Sequence, residues 1–185
     1  MTKRGIRITR EIYFAGLRKI GLDSSVIIDL IANKELFSYR EEKIFSEEGL
    51  FVTHRRCIKE IKDWLVEKRS YSEDAAANEV MKFCKDHNIE IIEVNVSNKD
   101  LLERMKKECA EKNIEFHVPD SWIIADFKAA GVNKIYSTNN HFLDACCLFE
   151  MEVKKFPTIQ KEIENQMKEL FRHKFSKKQR KSLLF

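Results

Sequence analysis

Four short apolar runs, separated by longer stretches of helical period, constrain this chain more than any other feature. They are KIGLD (19–23), GLFVT (49–53), IEIIEV (89–94) and NKIYST (133–138), with MEVKKF (151–156) as a short fifth. These runs have strand length but do not alternate apolar with polar residues, the pattern of strands covered on both faces. Between them lie helical patterns with recognisable starts and stops. SSVIIDLIANKE opens on Ser24 or Ser25 as N-cap, and HRRCIKEIKDWLVEKR repeats Cys57, Ile61, Trp64 and Leu65 at helical spacing. A further helix follows Ser72, another opens at Ser97, and PDSWIIADFKAAG begins with Pro119 and ends at Gly131. The segment TIQKEIENQMKELFRHKF closes the pattern as a charged helix. Strand–helix alternation of this kind predicts an α/β domain built on a parallel sheet.

In such sheets ligands bind at the carboxyl ends of the strands, near the point where the strand order reverses. The polar residues just after each run are therefore the ones to inspect. Asp23 follows the first, Thr53 the second with Glu60 two helical turns on, and Thr138, Asn139 and Asn140 the fourth. Asp120 lies in the first turn of the helix leading to that fourth run. Each has a plain structural role available: Asp23 as a helix cap, Glu60 as a solvated helix residue, Asp120 as a dipole partner, Asn140 as a turn residue. Their order along the chain is what carries the functional reading. Three carboxylates crowded on one edge repel one another, and a divalent cation with a preference for hard oxygen ligands, Mg²⁺ or Mn²⁺, relieves that repulsion. Asp126 is expected to stand apart, because six residues at about 100° each turn it roughly 120° away from Asp120, toward solvent or a partner.

These segments resemble the PIN domains, metal-dependent nucleases that include the VapC-type toxins. KIGLDSSVIIDL is similar to the family's strand ending in Asp, and LFVTHRRCIKEI to its helix carrying Glu. PDSWIIADFKAAG resembles the helix that opens on Asp, and KIYSTNNHF the strand end followed by Phe. The resemblance spans residues 18 to 156. It implies a three-layer α/β/α sandwich with four to five parallel strands and helices on both faces. It also implies endoribonuclease activity, with Asp23, Glu60 and Asp120 holding one or two Mg²⁺ or Mn²⁺ ions. Thr138 or Asn140 would orient a water or a phosphate oxygen. The chain departs from the family in having the neutral Asn140 where many members are acidic, and Asp144 one turn later would compensate if that stretch is helical. Residues 1–17 are then an N-terminal extension, and 157–185 a basic C-terminal helix and tail.

Other chemistries lack their residues. Position 25 is serine, so the D-x-D pair of haloacid-dehalogenase-type phosphatases is missing; the five His form no H-x-x-x-H pair, and no glycine-rich nucleotide loop occurs. The five Cys, at 57, 84, 109, 146 and 147, form no C-x-x-C pair, and adjacent Cys146 and Cys147 read as buried hydrophobes. No apolar run reaches the roughly 18 residues of a membrane span, and the basic N-terminus lacks a signal peptide's apolar core. A cytoplasmic protein that does not enter membranes is expected. From Lys154 onward ten Lys/Arg face three Glu, although the whole chain carries only +4. That asymmetry points to a polyanionic partner such as nucleic acid, which the resemblance makes RNA, the plain alternative being a solvated helix end with a frayed tail. Phe171 and Phe175 stand among those basic residues, either stacking bases or packing on the body. An antitoxin or other protein, and a second copy of the chain, are the other candidate partners. The competing reading is a PIN-like module, weakly active or inactive, that binds RNA or a protein without cutting.

Overall fold

The computed structural model of this chain describes residues 17–34, 38–93, 99–115, 117–159, 161–164 and 167–168. It divides into two compact units, Met1–Lys155 and Phe156–Phe185. In the first, five parallel strands form one sheet in the order β3-β2-β1-β4-β5. They are β1 (Lys19–Leu22), β2 (Leu50–His54), β3 (Glu90–Ile92), β4 (Val132–Ser137) and β5 (Glu152–Lys155). The parallel sheet expected from the apolar runs is the one found, and the short fifth run is its edge strand. β1 lies at the centre, where Ile20 and Leu22 are fully buried.

Seven helices are described in this unit: α1 (Ser24–Ala32), α2 (Ser38–Phe45), α3 (Arg55–Arg69), α4 (Glu73–Asp86), α5 (Lys99–Glu111), α6 (Val118–Ala129) and α7 (Asn140–Leu148). α1 packs on α3 and α3 on α4, while α5 packs on α6 and α7, giving the outer layers of a three-layer sandwich. Val52, Ile92 and Ile135 from the sheet join Met105, Ile123, Phe127, Phe142 and Cys146 in one continuous apolar core. The chain winds outward from β1 through β2 to β3, then crosses back to β4 and β5. Connections therefore diverge between β1 and β4, and the carboxyl ends of those two strands are where such sheets form a ligand crevice.

Several local details differ from the sequence expectation. The N-cap of α1 is Asp23 and not a serine: its backbone is extended and its carboxylate accepts from the Ser24 amide. Asp is as good a cap as Ser, so the sequence pattern does not separate them. Ser72 caps α4 as expected, and α6 carries Pro119 in its first turn, with Gly131 beyond its end at φ +77°. Helix α2 is not legible in the sequence, because SYREEKIF has no apolar stripe; it buries Ile44 and the whole of Arg40, whose guanidinium meets Asp29 at 2.6 Å. All five cysteines are free, but only Cys146 of the adjacent pair is buried, since consecutive helical residues point about 100° apart and Cys147 faces solvent.

In the second unit, residues 161–164 and 167–168 are helical. The tail with Phe171 and Phe175, most of the N-terminal extension and the Ser97 cap lie outside the described residues. No helix among the described residues is long and apolar enough to cross a membrane. One position tests the tightness of the sheet's lower edge. A Cβ at Gly49 would stand 2.8 Å from the Arg18 carbonyl oxygen and 2.8 Å from Ile20 Cδ1. Since the Arg18 carbonyl already accepts from the Leu50 amide, the backbone cannot retreat freely. Gly49→Ala is expected to cost about 1–3 kcal/mol in chemical denaturation, as overpacking does; an unchanged midpoint would show that this edge yields.

Candidate functional site

The crevice above β1 and β4 is organised around Asp23. Its amide donates to the Tyr136 carbonyl across the strand pair at 3.1 Å, which fixes the residue at the end of β1. The side chain is 7% exposed. Oδ1 accepts from the Ser24 amide at 2.8 Å, and Oδ2 accepts from the Ser25 and Ser137 hydroxyls, each at 2.6 Å. Those hydroxyls are themselves held. Ser25 Oγ accepts from the Thr138 amide at 3.1 Å, and Ser137 Oγ from the Asn139 amide at 3.0 Å. The carboxylate of Asp23 thus sits in a fixed orientation built from both strand ends.

Glu60 reaches the same place from α3. It is an exposed residue whose carboxyl tip turns inward, Oε2 accepting from Ser24 Oγ at 2.6 Å. The single Ser24 hydroxyl proton is directed there and not to Asp23 Oδ1, which lies at 3.4 Å. Burial raises the Glu60 carboxyl above the ordinary glutamate value; the Ser24 hydrogen bond opposes this, and the charges of Asp23 and Asp120 add to it. Asp120, in the first turn of α6, is raised by burial and by Asp23, with His117 opposing. It shares a small cavity with His117 and His141. Asp23, Glu60 and Asp120, from three distant segments, therefore lie within one another's electrostatic field.

Two buried thiols report the same field from below. Cys57 is pushed up by burial and by the charges of Asp23 and Glu60. Cys146 is pushed up by burial and by Asp23 and Asp120. Both stay protonated, so neither supplies a nucleophile.

The remaining candidates stand elsewhere. Asn140 is exposed, and its side-chain oxygen accepts from Lys155 Nζ at the end of β5. Asn139 is the N-cap of α7, accepting from the His141 amide at 3.0 Å. Asp144 is an exposed residue of α7. Thr53 is fully buried and donates to the Leu22 carbonyl at 2.9 Å, tying β2 to β1. Asp126, expected to meet solvent or a partner, is instead 4% exposed and paired within the chain with His54 at 2.7 Å. Angular position alone misleads here because α6 is covered nearly all round; Ser121 and every residue from Ile123 to Phe127 are buried. Sequence reasoning also misses the hydroxyl ring of Ser24, Ser25 and Ser137. The doublet after Asp23 and the serine closing β4 are its only trace.

Could these residues hold a cation? Among the described residues no three His, Cys, Asp or Glu side chains stand close enough to form a ready-made cage. The donor chemistry nevertheless fits an open site of the Mg²⁺ kind, which uses one or two carboxylates and keeps several waters. Two carboxyls raised in part by neighbouring negative charge are the groups a divalent cation would relieve. The raised values also carry a stability consequence. A folded-state pKa above the ordinary 3.8 of Asp or 4.5 of Glu means that the native state binds protons more tightly than the unfolded chain. Metal-free stability therefore declines as pH rises from those ordinary values through the raised ones. Glu60→Gln removes one of the groups, so its melting temperature in chelator should gain on the parent protein as pH rises from about 4 to about 7. A gap independent of pH would remove the repulsion from the account.

No family model matches the sequence, and no curated protein matches it closely enough to be counted as similar. Solved structures do match the fold. VapBC-1 from nontypeable Haemophilus influenzae aligns at a TM-score of 0.58 and 11% identity, covering 74% of this chain and 97% of that one. VapBC2 from Rickettsia felis, solved bound to a DNA fragment from its promoter, aligns at 0.57 and 13% identity, covering 75% and 99%. VapC20 of Mycobacterium tuberculosis, a toxin that cleaves the sarcin-ricin loop, aligns at 0.51 and 16% identity, covering 68% and 94%. The PIN-like α/β/α fold expected from the sequence is thus the fold of these structures.

Proposed function

We propose that this protein is a divalent-metal-dependent endoribonuclease of PIN type, hydrolysing RNA phosphodiester bonds at the crevice above β1 and β4. What supports the reading is that Asp23 and Glu60 are both held by Ser24, and that the Glu60 and Asp120 acids are both raised in part by the charge of Asp23. The fold shared with an RNA-cleaving toxin supports the substrate class.

Bound Mg²⁺ or Mn²⁺ would supply an activated water and neutralise charge on the phosphate. Asp23 and Asp120 would hold the ion. The Ser25 and Ser137 hydroxyls keep Asp23 Oδ2 aimed, and Glu60, anchored on Ser24 through one oxygen, would hold the ion directly or through a water with the other. Asn140, engaged with Lys155, contributes at most a polar contact to substrate, so the site works with three carboxylates. Residues 18–156 form the catalytic domain in this reading, and the basic segment 157–185 meets the RNA backbone. An antitoxin-like protein partner, a homodimer and action in the cytoplasm belong to the same proposal.

The test is cleavage of a structured RNA with Mg²⁺ or Mn²⁺ added back after chelation. Defined fragments that appear only with the ion, and vanish in Asp120→Asn, are expected; fragments that persist in chelator would sink the proposal. One observation favours the alternative of a module that binds RNA or protein without cutting. Asn140, neutral where many PIN domains are acidic, is turned onto Lys155. RNA binding without cleavage under any divalent ion would decide for it.

A further inference from the structure

The mechanism above does not use the most unusual polar group in the core, the buried pair of His54 and Asp126. His54 ends β2 on the same face as Val52, which belongs to the core beneath α5, α6 and α7, so its ring points at α6. Nδ1 accepts from the Arg56 amide at 3.1 Å, which makes His54 the N-cap of α3. With that lone pair engaged, Nε2 carries a proton and donates it to Asp126 Oδ2 at 2.7 Å. Both side chains are almost fully buried, at 4% and 6% exposure. The other oxygen, Asp126 Oδ1, is buried and has no hydrogen-bond partner among the described residues. Phe127 meets the His54 ring edge-on at 6.4 Å, closing the pair off.

A buried pair with one unsatisfied oxygen contributes little to stability alone, since apolar side chains of similar size usually serve as well. Its geometry has another consequence. α3 carries Glu60, and α6 carries Asp120; the His54 ring is bonded at one nitrogen to the first turn of α3 and at the other to the last turn of α6. We infer that the His54–Asp126 pair is a positioning device that sets where Glu60 stands relative to Asp120, and so the affinity of the site for its divalent cation. His54 and Asp126 are positioning residues here, acting through helices and not by touching the ion. The inference rests on the proposed metal site.

The experiment is calorimetric titration of the full chain with Mn²⁺ alone, alongside melting in chelator. The parent protein is measured first. No Mn²⁺ binding there would overturn the metal reading itself, and this inference with it. Given binding, Asp126→Leu removes the bond while keeping the volume, and His54→Asn keeps a cap for α3 but is too short to reach Asp126. Each is expected to weaken Mn²⁺ binding about tenfold, the usual cost of losing a group that orients a ligand. The double variant should lose no more than either single one, because both break the same bond. Asp126→Asn still accepts from Nε2 and should restore affinity to within about twofold of the parent. If the Asp126→Leu variant fails to fold, the His54→Asn result decides by itself. Unchanged affinity in His54→Asn, additive losses, or affinities that merely follow the melting temperatures would each overturn the inference while leaving the metal site standing.

Discussion

Replacing Asp23 by Asn is expected to lower the proposed metal-dependent RNA cleavage by roughly 1,000-fold, a loss of about 4 kcal/mol in transition-state stabilisation. The expectation follows from what surrounds the carboxylate. The asparagine oxygen can still accept from the Ser24 amide at the Oδ1 position, so α1 keeps its cap. At the Oδ2 position the amide nitrogen becomes a donor facing the Ser25 and Ser137 hydroxyls, both of which donate to Asp23 in the parent protein. They must rotate, and the charge that would hold the cation is gone. Melting temperature should change little while cleavage disappears, because the fold keeps its cap and loses one buried repulsive charge. Single-turnover cleavage assays at saturating Mn²⁺ make the comparison. Activity within about tenfold of the parent would remove Asp23 from the centre of the mechanism.

The largest stability effect is expected at Phe127. This ring is fully buried on the inner face of α6 and packs against β1 where the strand has no side chain at Gly21. A Cβ at Gly21 would stand 3.4 Å from Phe127 Cε2, an ordinary contact, and a tight 3.1 Å from Ile135 and Val132 of β4, so the ring packs directly over the strand backbone. Phe127→Ala leaves a cavity between α6 and β1 that rigid backbone on both sides cannot collapse. The cost is about 3–5 kcal/mol, and the melting temperature should fall by roughly 10 °C for a chain of this size. Chemical denaturation with an unchanged slope would verify that the native state alone is affected. A loss below about 1 kcal/mol would mean that α6 slides to fill the gap. In that case the position of Asp120 would be softer than the described geometry.

The two results should be separable by their signatures. Asp23→Asn acts on chemistry with the fold intact, whereas Phe127→Ala acts on the fold and reaches the site only through α6. A protein in which both variants lost activity and stability together would have a site less preorganised than the hydrogen bonds of Asp23 imply.

Much of this is legible in the chain. Strand length and the absence of alternation in KIGLD, GLFVT and NKIYST follow from burial on both faces, which local composition records directly. The positions of Asp23, Glu60 and Asp120 relative to strands and helices can be read for the same reason: each follows a local boundary. Helix α2 cannot be read, because its place depends on Arg40 meeting Asp29, a pairing that no periodicity announces. Nor can the fate of Asp126. Helical angles place it correctly on the cylinder of α6, but whether that side meets water or His54 depends on what else surrounds the helix. Cys147 fails as a buried residue through the converse: a neighbour's burial does not extend around the turn.

By itself, then, the sequence determined the elements, their order and the short-range chemistry at each strand end, because these depend on interactions within a few residues. Only the tertiary structure decided which side chains meet. It joined Ser137 to Asp23 across 114 positions, Glu60 to Ser24 across 36, and His54 to Asp126 across 72. It also sent Asn140 to Lys155 at the edge of the sheet. Hydrogen bonds of this kind are set by the packing of helices on the sheet and by the reversal of strand order at β1, and neither is written in any short stretch of residues.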